Sequence, residues 1–398
     1  MKRKGLGVII LALMLAFSTS VPAFAAGETQ IGSQTEMAIP SESIMEVVEE
    51  NSNIDPACPW TADTQVQETI PTYDLDNQVN GYILNLSTDG ADTGYLVYNI
   101  SSGEPVLMEF GYEGVYSIQG EEVTQDSKLG KSKLIPVGIN EYVLQKGNDL
   151  YTVQTNTKIT DQKEEIQKVL EEKETNIAEY VQSEQMASSL STRNQEIYSS
   201  VSLPNLFSGN HTPITMKQHT DSSGYQPSCA AICNVNMLKY WRECRNIPSL
   251  YNAYDEPKLA QTVSRMRTSI KEQRVYNKEG VFIGYGATPN DAFDGISKYC
   301  KTYACTTPKG SDFKSGLNWS WYKTQIQNGN FMYISAKVKN YQNDGRDDVY
   351  HSFSGVGYQE TSTGNFMRVG DQWTTNYSHF FNVSAYSSDI HRIQYYRW

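Results

Sequence analysis

Residues 227–241, PSCAAICNVNMLKYW, decide the fold of the C-terminal half of the chain. Apolar residues recur every three positions over 232–241, which predicts a buried helix that begins near Cys229. Pro227 suits a helix start, where its missing N–H is not needed. A helix N-terminus favours a thiolate, so Cys229 is a candidate nucleophile. The alternative is a small buried thiol, which is the commoner role of a free cysteine and the one expected for Cys233.

The partners for such a nucleophile lie further along the chain. His351 begins the strand-like run HSFSGVGY after a hydrophilic loop, so we expect its ring at a sheet edge facing a cleft. Asp371, in VGDQW, ends the next strand, which an antiparallel pairing brings to the same side. Its carboxylate is expected to accept the second ring N–H of His351, and Trp373 to shield that contact from water. The pattern predicts acyl chemistry with Cys229 as nucleophile, His351 as base and Asp371 as the orienting group.

The order of Cys at a helix start, His on a strand and Asp followed by Trp on the next strand resembles papain-like cysteine peptidases. CAAICNVNMLKYW (229–241) is similar to the nucleophile helix of the bacterial branch related to bacteriocin-leader peptidases. WYKTQIQNGNFMYIS (321–335), followed by HSFSGVGY, is similar to a helix and two strands of the same branch. The resemblance covers roughly residues 212–385. It implies an α+β catalytic domain, a helical subdomain followed by an antiparallel sheet, that cleaves proteins or peptides.

The resemblance also implies a glutamine that donates to the oxyanion, a short way before the cysteine. The family's usual spacing falls on Ser222 or Ser223 in this chain. Gln218, in ITMKQH, and Gln226, in YQPSC, flank that position. Gln218 is favoured because its context is similar to the family's lead-in, with an insertion after it, whereas Gln226 can simply shape the turn at Pro227. Such an amide stabilises the transition state by about 3 kcal/mol.

The N-terminal half differs in charge and in pattern. Residues 27–199 carry a net charge of −21, and residues 200–398 carry +6. Short β-branched and aromatic segments with hairpin turn signals predict a small antiparallel sheet, and a Glu- and Lys-rich stretch after it predicts an amphipathic helix before a Ser-rich linker. We therefore expect four segments after residue 25: a flexible lead-in (26–62), an acidic β-rich propeptide domain (63–159), a helical connector with a processing linker (160–204) and the catalytic domain (205–398).

GYLVYNISSGEPVLMEFGYEG (94–114) is similar to the sheet propeptides of streptopain-like secreted peptidases, which cover the cleft until they are cleaved. Together with the opposite charges of the two halves and the linker, this predicts a zymogen. Its N-terminal domain would bind the catalytic domain as inhibitor and chaperone. The alternative is an acidic region that only increases solubility and has no partner.

The first 25 residues have the pattern of a secretory signal peptide. The basic residues 2–4 precede an apolar run that ends at Ala23-Phe24-Ala25, a small-residue cleavage site. An uncleaved anchor is the alternative. Cleavage predicts an exported protein, extracellular or in the cell envelope, with no later stretch long enough to hold it in a membrane. Export would permit disulfides, and Cys300 and Cys305 could close a small loop, although no pairing follows from the sequence.

Composition and motifs exclude several other functions. A net charge of −12 argues against a nucleic acid partner. The sequence contains no HExxH, paired CxxC, Walker or glycine-rich dinucleotide motif, so no metal or cofactor is expected. Two rival functions stay open. One is a catalytically inactive surface or binding protein on the same scaffold. The other is an enzyme with the same triad that transfers amides or cleaves cell-wall peptides.

Overall fold

The computed structural model describes residues 39–398 apart from 119–120, 123–124, 129, 154–155, 191–197, 208–210, 221–223, 225, 251–255, 277–279, 281, 304–305 and 340–347. The signal peptide predicted for 1–25 and the possible disulfide partner Cys305 lie outside the described residues. The described residues from Pro40 to Trp398 form one compact unit.

The described residues form seven helices and eighteen strands, which confirms the predicted α+β class. The helices are α1 Ser41–Ile54, α2 Gln125–Lys128, α3 Lys163–Leu190, α4 Cys229–Glu243, α5 Glu256–Ser269, α6 Pro289–Tyr303 and α7 Trp319–Gln327. The strands of the N-terminal half are β1 Gln65–Tyr73, β2 Val79–Thr88, β3 Ala91–Asn99, β4 Val106–Gly111, β5 Ser117–Ile118, β6 Glu121–Glu122, β7 Lys133–Gly138, β8 Glu141–Lys146 and β9 Asp149–Thr152. Those that follow are β10 Ser199–Ser202, β11 Gln273–Tyr276, β12 Phe282–Gly286, β13 Gly310–Ser315, β14 Met332–Lys339, β15 Asp348–Thr361, β16 Gly364–Gly370, β17 His379–Asn382 and β18 Ile390–Arg397.

Fourteen of these strands form one sheet that runs through both halves of the chain. Their order is β13-β18-β14-β15-β16-β17-β4-β3-β2-β1-β7-β8-β9, with β10 paired to β15. The β1–β7 contact is parallel and the other neighbours are antiparallel. The strand pair β4–β17 joins the N-terminal strands to the C-terminal ones. The boundary predicted at 204–205 therefore separates two parts of a single sheet.

Helix α4 is the centre of the C-terminal core. Its residues from Ala230 to Trp241 are all buried, and the helix packs against β15, α5 and α6. A helix that is enclosed on every side needs apolar or fully bonded polar side chains all round. The interior position of α4 fixes where its first residue, Cys229, can lie.

The flexible lead-in predicted for residues 26–62 is wrong for the part that the structure describes. Residues 41–54 form α1, which buries Val47 and Val48 completely or nearly so, and Trp60 is only 2% exposed. The prediction failed because it averaged composition over the segment. Most glutamates of α1 are exposed, while a narrow apolar face, one tryptophan and Glu50, which accepts from Ser362, provide the contacts that order the segment.

Helix α3 lies within the segment predicted as a connector. Its buried apolar residues pack on the N-terminal strands, and α3 contacts β7 directly. They are Ile166, Val169, Leu170 and Ile177. The helical spacing of these residues in the sequence therefore corresponds to a face that covers one side of the N-terminal sheet.

Candidate active site

The start of α4 is fixed from two directions. Ser228 is the N-cap, and its hydroxyl accepts a hydrogen bond from the main-chain N–H of Ala231 at 3.3 Å. The main-chain N–H of Ser228 donates to the Glu272 carboxylate at 2.7 Å. Cys229 follows as the first helical residue and is partly buried. Its Sγ also lies 4.0 Å from the main-chain oxygen of Tyr350, next to His351.

His351 lies on β15, opposite Ala336 of β14. Its Nε2 is 2.8 Å from the main-chain oxygen of Asp371. A carbonyl oxygen only accepts, so Nε2 carries a proton and Nδ1 is the ring nitrogen left for the Cys229 thiol. The indole of Trp373 stacks on the imidazole with ring centroids 4.0 Å apart and planes inclined by 10°. Tautomer and ring plane are thus both set by residues of the turn after β16.

The thiol and the imidazole change each other's proton affinity. Burial raises the pKa of Cys229, but the charge and hydrogen bond of His351, with help from Ser352, outweigh burial and lower that pKa overall. Burial likewise lowers the pKa of His351, and the nearby Cys229 and the Asp371 carbonyl raise it overall. These opposite shifts favour a thiolate–imidazolium pair, which is the reactive form of a nucleophilic cysteine.

The other described cysteines have the opposite character. Burial raises the pKa of Cys58 and of Cys300 to about 12 and that of Cys244 to about 11. Burial also raises the pKa of Cys233, whose Sγ lies 3.4 Å from the main-chain oxygen of Phe353. Cys233 is therefore the buried, inert thiol that the sequence predicted one turn after Cys229.

Asp371 does not play the part that the sequence assigned to its carboxylate. Its Oδ1 accepts from the main-chain N–H groups of Trp373 at 2.9 Å and Thr374 at 2.8 Å, and from the Thr374 hydroxyl at 3.0 Å. The backbone turns directly after it, because Gln372 adopts a left-handed φ of 69°. The carboxylate thus folds the turn that presents Trp373, while the main-chain oxygen of Asp371 holds the ring of His351.

The two glutamines considered for the oxyanion hole are both exposed. The Oε1 of Gln218 accepts from the main-chain N–H of Thr215 at 2.9 Å, which leaves its amide nitrogen as the outward donor. Gln218 also lines a groove together with Trp373, the residue that stacks on His351. Gln226 lies three residues before Cys229, the first residue of α4.

Two further polar residues brace the site, and sequence reasoning gave them no role. Asn236 of α4 is fully buried, and its amide nitrogen donates to Gln372 Oε1 at 2.8 Å. The Nε2 of Gln372 in turn donates to the Ser354 hydroxyl on β15 at 2.7 Å. The available signal was the position of Asn236 within a helix predicted to be buried, where a polar side chain must find partners.

A buried histidine on the far side of this site is held by a residue of the N-terminal half. His379 of β17 is buried, and its Nδ1 lies 4.0 Å from the Asp371 carboxylate. Its Nε2 lies 2.9 Å from the carboxylate of Glu109 on β4. Glu109 is fully buried and also accepts from the Tyr386 hydroxyl at 2.6 Å. No local pattern in the sequence links residues so far apart.

No protein-family model matches the chain, and no curated protein matches it in sequence. Among the residues that the structure describes, no helix has the length and apolar character needed to cross a membrane.

Proposed function

We propose that the chain is a papain-like cysteine endopeptidase that hydrolyses peptide bonds. The observation that carries the proposal is the arrangement around His351. One ring nitrogen is fixed by the Asp371 carbonyl, the ring is stacked on Trp373, and the other nitrogen is left to a thiol whose pKa is lowered. A cysteine that served only to fill the core would show the raised pKa of Cys233 instead.

The proposed reaction has two halves. The Cys229 thiolate attacks the carbonyl carbon of the scissile bond. The resulting oxyanion accepts hydrogen bonds from the main-chain N–H of Cys229, at the start of α4, and from the side-chain amide of Gln218. The imidazolium of His351 then gives its proton to the departing amine, which leaves a thioester on Cys229. His351 next takes a proton from water as that water attacks the thioester, and the acid product departs with the thiolate regenerated.

The substrate in this proposal occupies the groove beside Trp373. The groove has a volume of about 460 Å³ and is lined by Thr215, Lys217, Gln218 and residues 373–376. Hydroxyl, amide and indole groups suit an extended peptide, because they can bond its main chain without demanding one side chain. This favours a protein or peptide substrate and a broad, main-chain-based recognition at this end of the cleft.

The proposal includes export and synthesis as a zymogen whose residues 26–204 act as inhibitor and chaperone. The charge pattern of the sequence supports a contact between the halves, and two acid groups of the N-terminal half do meet basic groups of the C-terminal half. Glu109 pairs with His379, and Asp55 pairs with Arg368. The inhibitory part is tested at the connector: peptide hydrolysis should rise when the connector is cut, and an unchanged rate would contradict inhibition by the intact N-terminal segment.

The test is peptide hydrolysis by the exported chain with its connector cut, under reducing conditions, followed by mass spectrometry on a mixture of unmodified peptides. We expect cleavage by the parent and by Cys244→Ala, which serves as the matched cysteine control, and none by Cys229→Ala or His351→Ala. A parallel reaction with a free amine separates hydrolysis from amide transfer. Peptides that bind but stay intact would contradict the proposal and indicate an inactive binding protein.

A further inference from the structure

We infer that the N-terminal half remains bound to the C-terminal half as a non-covalent subunit after the connector between α3 and β10 is cut. The N-terminal half here means residues 40–190, and the C-terminal half means residues 199–398. The inference goes beyond the proposed function and does not depend on it. It concerns the contact between the halves, which we call the seam, and the seam is built by β4, β17 and the residues packed around them.

The seam begins with main-chain pairing. His379, Phe380 and Phe381 of β17 lie opposite Gly111, Phe110 and Glu109 of β4. Removal of the N-terminal half would make β17, now an inner strand of the fourteen-stranded sheet, an unpaired edge strand of the remaining sheet. An exposed edge of this kind pairs readily with other chains, so proteins keep such edges covered.

The side chains on the seam pack as a protein interior does. Phe110 and Phe380 are both fully buried, and their rings stack with centroids 4.4 Å apart and planes inclined by 10°. Phe366 of β16 meets Phe110 edge to face at 5.0 Å, and Trp60 lies 6.0 Å from the same ring. One aromatic cluster thus contains residues of both halves, and separation would expose all four rings to water.

Buried charges also cross the seam. Arg368 of β16 is 1% exposed, and its Nη1 donates to the Asp55 carboxylate at 2.9 Å. The amide of Gln359 donates to the same carboxylate at 2.9 Å and lies 2.6 Å from the Tyr112 hydroxyl. Departure of the N-terminal half would separate the Arg368 guanidinium from its carboxylate, and breaking a buried ion pair in this way is strongly unfavourable.

The Glu109 cluster adds a second crossing of the same kind. Its carboxylate contacts His379 and Tyr386 of the C-terminal half and also accepts from the main-chain N–H of Asn140 in the N-terminal half. A detachable propeptide would be expected to dock through a wet, polar surface, whereas an interface that resembles a divided domain core is typical of a permanent complex. Cutting the connector therefore changes the chain into two bound pieces.

The test uses the full chain with the Cys229→Ala substitution, so that self-cleavage cannot contribute, and with a site for a sequence-specific protease inserted between Asn194 and Gln195. After the cut, the sample is diluted to about 100 nM and its mass in solution is measured. The buffer contains about 1 M NaCl, where the Debye length is about 3 Å. We expect a single particle that contains both halves of the cut chain. Separate pieces under these conditions would overturn the inference, including the case in which they stay together only at low salt.

A pair of matched variants locates the source of the binding. Phe110→Ala removes a buried seam ring and should speed the separation of the cut halves at least about a hundredfold. Phe313→Ala, at an exposed phenylalanine on β13, should leave it unchanged. If Phe110→Ala does not fold, Asp55→Asn provides the same comparison at the Arg368 contact. If the cut halves separate as slowly in the seam variant as in the Phe313 variant, the seam does not hold the halves together.

Discussion

Replacement of His351 by alanine should remove most of the reactivity of the Cys229 thiol at mildly acidic pH. Burial by itself raises the pKa of this thiol, and the neighbouring imidazolium is the main reason why the pKa is lowered overall. Without the ring, the effect of burial is no longer outweighed, and the pKa of the Cys229 thiol rises to that of an ordinary cysteine or higher. An ordinary cysteine has a pKa of about 8.5, so only about 0.3% of it is thiolate at pH 6.

The expected change in rate follows from two opposing effects. Loss of thiolate reduces the rate of alkylation, while the remaining thiolate is intrinsically more nucleophilic because its pKa is higher. The first effect is the larger, and we expect alkylation of Cys229 by iodoacetamide at pH 6 to slow at least about tenfold in His351→Ala. In the parent, the pair of Cys229 thiolate and His351 imidazolium exists only in the pH range between the titration of the thiol and that of the imidazolium. It is lost on the acid side when the thiolate takes a proton, and on the alkaline side when the imidazolium of His351 releases one.

The assay is timed alkylation of the folded chain, with the modified cysteine identified by peptide mass. Cys244, whose pKa is raised to about 11, is an internal reference that should stay unlabelled at pH 6. Phe313→Ala, at an exposed aromatic residue on β13, is the control and should label as the parent does. The reasoning is refuted if His351→Ala is alkylated at the parent's rate, or if the parent labels Cys229 no faster than Cys244.

Three other predictions concern the turn, the oxyanion hole and a partly buried acid. Asp371→Asn keeps the acceptor for the turn at Thr374, and its kcat/KM should stay within about tenfold of the parent's. Asp371→Ala should lower kcat/KM at least about a hundredfold. Equal losses of kcat/KM in the two variants would mean that the negative charge itself is needed. Gln218→Ala should lower kcat by about a hundredfold or more and Gln226→Ala should not, and the reverse pattern in steady-state kinetics would assign the oxyanion contact to Gln226. Burial raises the pKa of Glu141 to about 8. The folded chain therefore holds this proton more tightly than the unfolded chain, whose value is about 4.3, so stability is complete below that pH and falls as the pH rises towards about 8. Glu141→Gln should remove up to about 4 kcal/mol of this decline in urea unfolding followed from about pH 5 to 8, and an unchanged pH dependence would contradict the assignment.

Local sequence features predicted the start of α4 and the strand that carries His351 well, because each was set by neighbouring residues. The spacing of apolar residues after Cys229 and the proline before it gave the start of α4 correctly. The alternating pattern that begins at His351 likewise lies within β15. Periodicity reports which residues face a core, and both of these elements are in the core of the C-terminal half.

Features that depend on distant pairing were outside the reach of that reasoning. Alternation identifies strands but does not name their partners, so nothing indicated that β4 lies beside β17 or that Glu109 reaches His379. The carboxylate of Asp371 was misassigned for a related reason. An ideal hairpin would place it on His351, but the left-handed Gln372 turns the chain early and transfers that contact to the main-chain oxygen.

The central claim is that Cys229 forms a covalent thioester during turnover, and trapping that thioester tests it most directly. The full chain is mixed with an activated peptide ester, quenched in acid at short times, and its intact mass and the mass of the peptide containing Cys229 are measured. The account predicts an added acyl group on Cys229 that appears early, disappears by hydrolysis, and is absent from Cys229→Ala. An ester that is turned over without any acyl group on Cys229, or equally well by Cys229→Ala, would contradict it.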